Sequence, residues 1–209
     1  MNFNINTVID QVKNKRSVFT SEADFQLEMA WAIKEIYPQA LIHMEFCPEF
    51  APTMHIDILV IMYGKWIPIE LKYKTKRCIK IVNHEKFFLK EHGAKDVNCY
   101  LYLKDLQRVE FVKEHSSLFL EGYTVFLTNE QSYLKAPQKK NCVYKDFSIE
   151  EGAIKNGVLR WSENAGAGTT RGNETPIMLS ATYDINWQLY SEIDDTNTGK
   201  FYILTNRVV

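Results

Sequence analysis

The stretch from Met54 to Lys74 constrains the fold most. It holds two apolar, β-branched runs, Ile56 to Met62 and Ile67 to Leu71, on either side of Tyr63-Gly64. A glycine in a two-residue connection between such runs predicts a β-hairpin. With the turn at Tyr63-Gly64, Met62 faces Lys65, and pairing outward from there puts Asp57 opposite Glu70. Directly opposed residues of an antiparallel pair share a face, with Cβ atoms about 4.5–5.5 Å apart. Lys72, two residues past Glu70, points the same way. The hairpin therefore predicts two carboxylates and an ammonium on one side of a sheet.

Two carboxylates that close repel each other in an otherwise apolar hairpin, and a divalent cation between them removes the repulsion. Oxygen ligands of this kind suit Mg²⁺ or Mn²⁺, with Mg²⁺ keeping several waters and binding through one or two carboxylates plus substrate phosphate. A lysine beside such a metal can orient or help deprotonate the attacking water and offset charge on a phosphate. The simpler alternative makes Asp57 and Glu70 solvent-facing, with Lys72 as a cross-strand partner. Against it, Asp57 interrupts one buried-looking run and Glu70 the other, at matched register.

Asp57, followed after a short hairpin by Glu70-Leu71-Lys72, resembles the PD-(D/E)xK nuclease superfamily, the restriction-endonuclease-like fold. The proline that often precedes the aspartate in that family is Ile56 here. The resemblance implies that Asp57 and Glu70 bind Mg²⁺, that the Leu71 carbonyl is a third ligand, and that Lys72 is the catalytic lysine. It also implies a glutamate from the first core helix near the metal. Glu28 is the best-placed candidate, ahead of Glu22 and Glu35, although by its position at the edge of an apolar stripe it also reads as an exposed flank residue.

The rest of the chain fits an αβββαβ order. Ser21 with Asp24 reads as a helix start, Phe25, Met29, Ala32, Ile33 and Ile36 form the apolar stripe, and Pro38 stops the helix. Residues 40–50 predict the first strand, and the hairpin supplies the next two. The basic run Lys74, Lys76, Arg77 and Lys80 leaves the end of the third strand. It reads either as a solvated surface or as a phosphate contact, with Lys74 on the face of Lys72. Residues 81–93 read as helical or irregular. Asp96 to Glu114 predicts a helix, in which Asp105 and Arg108 pair locally. Gly122 to Asn129 predicts a strand parallel to its neighbour after a helical crossover. Tyr-Leu-Tyr-Leu-Lys-Asp-Leu-Gln-Arg-Val-Glu, followed by Gly-Tyr-Thr-Val-Phe-Leu-Thr-Asn, is similar to a bacterial family of largely uncharacterised proteins with the same nuclease-like core.

The expectation is thus one α/β domain over 1–209: a restriction-endonuclease-like core at about 20–130, its central mixed sheet flanked by helices, and a C-terminal β extension at about 131–209. Residues 1–20 read as a solvated leader, with a short helix or an arm as the other reading. The Gly- and Thr-rich segment 164–173 reads as a mobile loop that could fold over the site. Ile177 to Trp187 and Phe201 to Val208 read as strands.

The net charge of −1 gives no global nucleic-acid signature, so a DNA-binding face must come from local patches such as Lys74, Lys76 and Arg77. The four cysteines, at 47, 78, 99 and 142, have no Cys-x-x-Cys or zinc-ligand spacing. Together with the absence of a signal peptide or a membrane-length apolar run, they fit a cytoplasmic protein with reduced thiols. The expected activity is metal-dependent hydrolysis of DNA phosphodiesters, in defence or repair, with a homodimer left open. The alternative is a catalytically silent module of the same fold that binds nucleic acid or a protein partner.

Overall fold

The turn at Tyr63-Gly64 forms as the sequence predicts. In the computed structural model, which describes residues 2–139 and 141–209, Tyr63 and Gly64 both have positive φ, 52° and 73°. This is the backbone of a tight type I′ hairpin turn. The turn joins Ile56–Met62 to Lys65–Lys74, and Met62 pairs with Lys65, Val60 with Ile67 and Ile58 with Ile69.

In chain order the elements are α1 (Ile5–Lys15), α2 (Glu22–Ile36), β1 (Leu41–Phe46), β2 (Ile56–Met62), β3 (Lys65–Lys74), β4 (Cys78–Val82), β5 (Glu85–Leu89) and α3 (Lys95–His115). They continue with β6 (Gly122–Thr128), β7 (Ile154–Leu159), the one-turn α4 (Ala167–Thr170), β8 (Ile177–Asp184), β9 (Trp187–Glu192) and β10 (Lys200–Val208). The central sheet is mixed, in the order β1-β2-β3-β6-β10-β9. Only β3 and β6 are parallel, and the chain crosses between them through α3.

The alternation of side chains along the strands divides the core in two. Ile58, Val60, Ile69, Leu71 and Tyr73 pack on α1 and α2, with Val8, Val12, Phe25 and Met29. On the opposite face, Tyr102, Leu103 and Leu106 of α3 pack against Phe126, Leu204 and Tyr183. Buried Glu110 of α3 ties β8 to this layer by accepting from the amides of Ser180 and Ala181 and from the Tyr183 hydroxyl. No helix among the described residues is long and apolar enough to cross a membrane.

The start of α2 follows its capping signals. Ser21 Oγ accepts from the Asp24 amide at 3.1 Å, and the Asp24 carboxylate reaches back to the Thr20 amide at 2.8 Å. This reciprocal arrangement satisfies donors that have no partner within the helix.

Two expectations need correction. The N-terminal segment is a helix rather than a solvated leader: Asn4 caps it, and Ile5, Val8, Ile9 and Val12 bury one face. Residues 81–93 are not helical, because β4 and β5 form a separate antiparallel hairpin. The C-terminal β extension takes two forms: β9 and β10 continue the central sheet, and β7 and β8 form a ribbon of their own. Within the Gly-rich segment α4 forms a single turn, and the Asn173 carbonyl accepts from Trp161, which stacks on Tyr100 of α3.

Gly122 opens β6 between Val109 of α3 and Pro68 of β3. A Cβ there would lie 2.3 Å from Val109 Cγ1 and 3.1 Å from Pro68 Cγ. Gly122→Ala should therefore destabilise the protein by about 1–3 kcal/mol through overpacking. Urea unfolding of the variant measures this, and an unchanged midpoint would contradict the packing described.

Candidate functional site

The site lies where β2 and β3 part. Their paired residues end at Ile58 and Ile69, while β3 stays paired with β6 as far as Lys74. Beyond Ile69, two amides of β3 take carboxylate acceptors. The Leu71 N–H donates to Asp57 Oδ2 at 2.6 Å, and the Tyr73 N–H to Glu22 Oε2 at 2.7 Å. Buried Gln26 of α2 positions Asp57 from the other side, donating to its carbonyl at 2.6 Å and to Glu45 at 2.9 Å.

Glu70 and Lys72 both reach residues of α3. Glu70 is buried, and its Oε1 lies 3.2 Å from the Arg108 guanidinium. Its Oε2 is buried with no hydrogen-bond partner. Lys72 forms an ion pair with Asp105, which also accepts from Arg108 at 3.1 Å. The Lys72 ammonium lies 3.3 Å from the Leu71 carbonyl. Arg108 donates as well to the His55 carbonyl, just before β2.

Asp105 and Arg108 are thus not only a local helical pair, because they bridge α3 to both β3 residues of the predicted motif. Sequence reasoning missed this wider role. The available signal was that Asp105 sits among the buried Tyr102, Leu106 and Val109 of the same helix. Gln26 was missed too, as a polar residue on the apolar side of α2.

Glu28 lies 3.8 Å from Arg16, and the structure gives it no contact with Asp57, Glu70 or Lys72. Glu22 is the α2 carboxylate that reaches β3, and it also pairs with Lys74 at 2.9 Å. Lys80 is likewise engaged, buried against Asp194. Of the predicted phosphate-contacting residues, Lys76 and Arg77 are exposed on the β3–β4 connection.

The inner cluster carries an imbalance of charge. Asp57, Glu70 and Asp105 face two cations, Lys72 and Arg108. Burial pushes Asp57 up to about 6, with the Leu71 amide and Lys72 pulling the other way. Burial also holds Glu70 well above the usual carboxylate range, reinforced by Asp105 and Asp57 and opposed by Arg108 and Lys72. For Lys72 burial favours loss of the proton, but the ion pair with Asp105 outweighs it and keeps the amine above the ordinary lysine range. Either a proton or a further cation must compensate the excess negative charge.

The donor set fits a hard divalent ion with few protein ligands. Asp57 Oδ1 makes no hydrogen bond among the described residues, and Glu70 Oε2 is orphaned. No cluster of three or more acidic, histidine or cysteine side chains suited to a metal occurs among the described residues. Two carboxylates and the Leu71 carbonyl suit Mg²⁺, which keeps several of its waters, better than a cation needing an all-protein cage. Five surface pockets of the molecule are lined by residues other than Asp57, Glu70 and Lys72. Comparison with protein-family models, curated proteins and solved structures finds no match for this chain.

The raised Asp57 carboxyl makes a pH prediction. An unfolded aspartate titrates near 3.9, so between there and about 6 the folded protein holds the extra proton. Stability from this group is full below the lower value and is lost as pH rises through the upper one. Relative to Asp57→Asn, the metal-free wild type should lose roughly 2 kcal/mol between pH 4 and pH 7. Urea midpoints of both proteins across that range measure the difference, and a constant or opposite trend would contradict the assigned environment.

Proposed function

We propose that the protein is a Mg²⁺- or Mn²⁺-dependent nuclease with a restriction-endonuclease-like core, hydrolysing phosphodiester bonds of DNA. The observation that carries this reading is the convergence of Asp57, Glu70 and Lys72 where β2 and β3 part, with carboxylate in excess and a buried Glu70 oxygen unpartnered.

Asp57 and Glu70 would hold the cation, with the Leu71 carbonyl completing the protein's share. When bound, a divalent cation supplies Lewis-acid stabilisation of charge developing on the phosphoryl oxygens. Gln26 and the Leu71 amide fix Asp57 in place, so its carboxylate is oriented before substrate arrives. Lys72 keeps its proton beside Asp105, which suits charge stabilisation and water orientation rather than proton abstraction. Lys76 and Arg77, exposed where the chain leaves β3, would contact flanking phosphates.

A second reading has its own support. Glu70 and Asp105 already pair with Arg108 and Lys72, an arrangement that a silent module of this fold binding nucleic acid would also keep. Cleavage of plasmid and single-stranded DNA with Mg²⁺ or Mn²⁺ separates the two. The nuclease reading expects metal-dependent cleavage that falls by about 100-fold or more in Asp57→Asn and in Lys72→Met. DNA binding with a steep salt dependence, no cleavage, and no effect of either substitution would favour the silent module.

A further inference from the structure

Arg108 is held in an unusual position for a structural arginine. It spans the Glu70 carboxylate, the Asp105 carboxylate and the His55 carbonyl. Its side chain is nevertheless 28% exposed. It also lines a surface pocket of about 470 Å³ together with Lys104, Gln107, Met178 and two carboxylates, Glu110 and Glu114. Its hold on Glu70 is one-sided, a contact of 3.2 Å to Oε1 that leaves Oε2 without a hydrogen bond. A guanidinium that bonds both oxygens of a carboxylate is much harder to displace.

Charge counting says when this contact is needed. Counted as fully ionised and without a bound cation, Asp57, Glu70 and Asp105 bring three negative charges against two on Lys72 and Arg108. A dication at Asp57 and Glu70, together with Lys72, supplies three positive charges and balances the carboxylates without Arg108. The guanidinium then becomes surplus in a half-buried cluster, where unmatched charge is costly. Arginine cannot discharge by losing a proton, so it must move or find an anion. The pocket beside it lies at the surface: Lys104, one turn earlier on α3, adds a second positive charge there, Glu110 is committed to the Ser180 and Ala181 amides and the Tyr183 hydroxyl, and Glu114 is the carboxylate that shares the opening.

Building on the nuclease reading, we propose that Arg108 is an exchangeable cation: it occupies Glu70 in the metal-free protein, yields to the divalent ion, and turns outward to take a substrate phosphate. One residue thereby steadies the empty site and grips the substrate once the site is loaded. It is a positioning and binding residue, and the planar fork of its guanidinium suits a phosphate.

Calorimetric titration of Mn²⁺ into wild type, Arg108→Gln and Arg108→Lys tests the first half. Removing the competing guanidinium should tighten Mn²⁺ binding about five- to tenfold in Arg108→Gln. Arg108→Lys keeps the charge but not the fork, so it guards against failure of the neutral variant to fold and should tighten binding by a smaller factor. The second half is read from the salt dependence of DNA binding in Ca²⁺, where the slope of log K against log salt should be shallower by about one in Arg108→Gln. If wild type binds Mn²⁺ and neither variant binds it more tightly, or if the salt slope is unchanged, the exchange is wrong while the nuclease reading stands. If none of the three proteins binds Mn²⁺, the nuclease reading fails and the exchange fails with it.

Discussion

The parting of two strands governs this molecule. β2 and β3 pair tightly from their turn to Ile58 and Ile69 and then separate. An amide left without a strand partner needs another acceptor, because burying it unpaired costs as much as losing a hydrogen bond. Asp57 and Glu22 meet that need at Leu71 and Tyr73. Asp57, one residue beyond the last pair, thereby turns its carboxylate to the Leu71 amide, which lies between Glu70 and Lys72 in the chain.

Burial then sets the electrostatics. Water outside a half-buried cluster screens little, so each ionised group depends on its neighbours. α3 supplies them: Asp105 keeps Lys72 charged, and Arg108 partly neutralises Glu70. The helix that makes the crossover between β3 and β6 therefore also completes the charge set. Glu110, two residues past Arg108, fastens β8 to the same helix through three donors, the Ser180 and Ala181 amides and the Tyr183 hydroxyl. Support for the site thus reaches into the C-terminal part of the chain.

Much of this frame was legible in the sequence, for a physical reason. The turn residues Tyr63-Gly64 fix the hairpin register, and a period of two then decides which side chains share a face. The α2 cap, the α3 crossover and the parallel β6 follow from equally local signals. The β4–β5 hairpin was not legible because its pattern is inverted: Ile79, Ile81 and Phe88 face outward while Lys80 is buried on Asp194. The helical spacing of Ile5, Val8, Ile9 and Val12 was there to be read, but the polar residues around it pointed to a leader. The links from Asp105 and Arg108 to β3 span more than thirty positions of sequence, and no local pattern encodes them. Glu28 illustrates the same limit, since only the docking of α2 decides that Glu22 faces β3 while Glu28 meets Arg16.

Asp57 and Glu70 are proposed to form, together, the seat of a divalent cation. Crystals of the protein soaked in Mn²⁺ and measured at the manganese absorption edge test it directly. The account predicts an anomalous-scattering peak bridging the two carboxylates, within coordination distance of both. A map with no peak there, or with manganese only at surface carboxylates elsewhere, would contradict it.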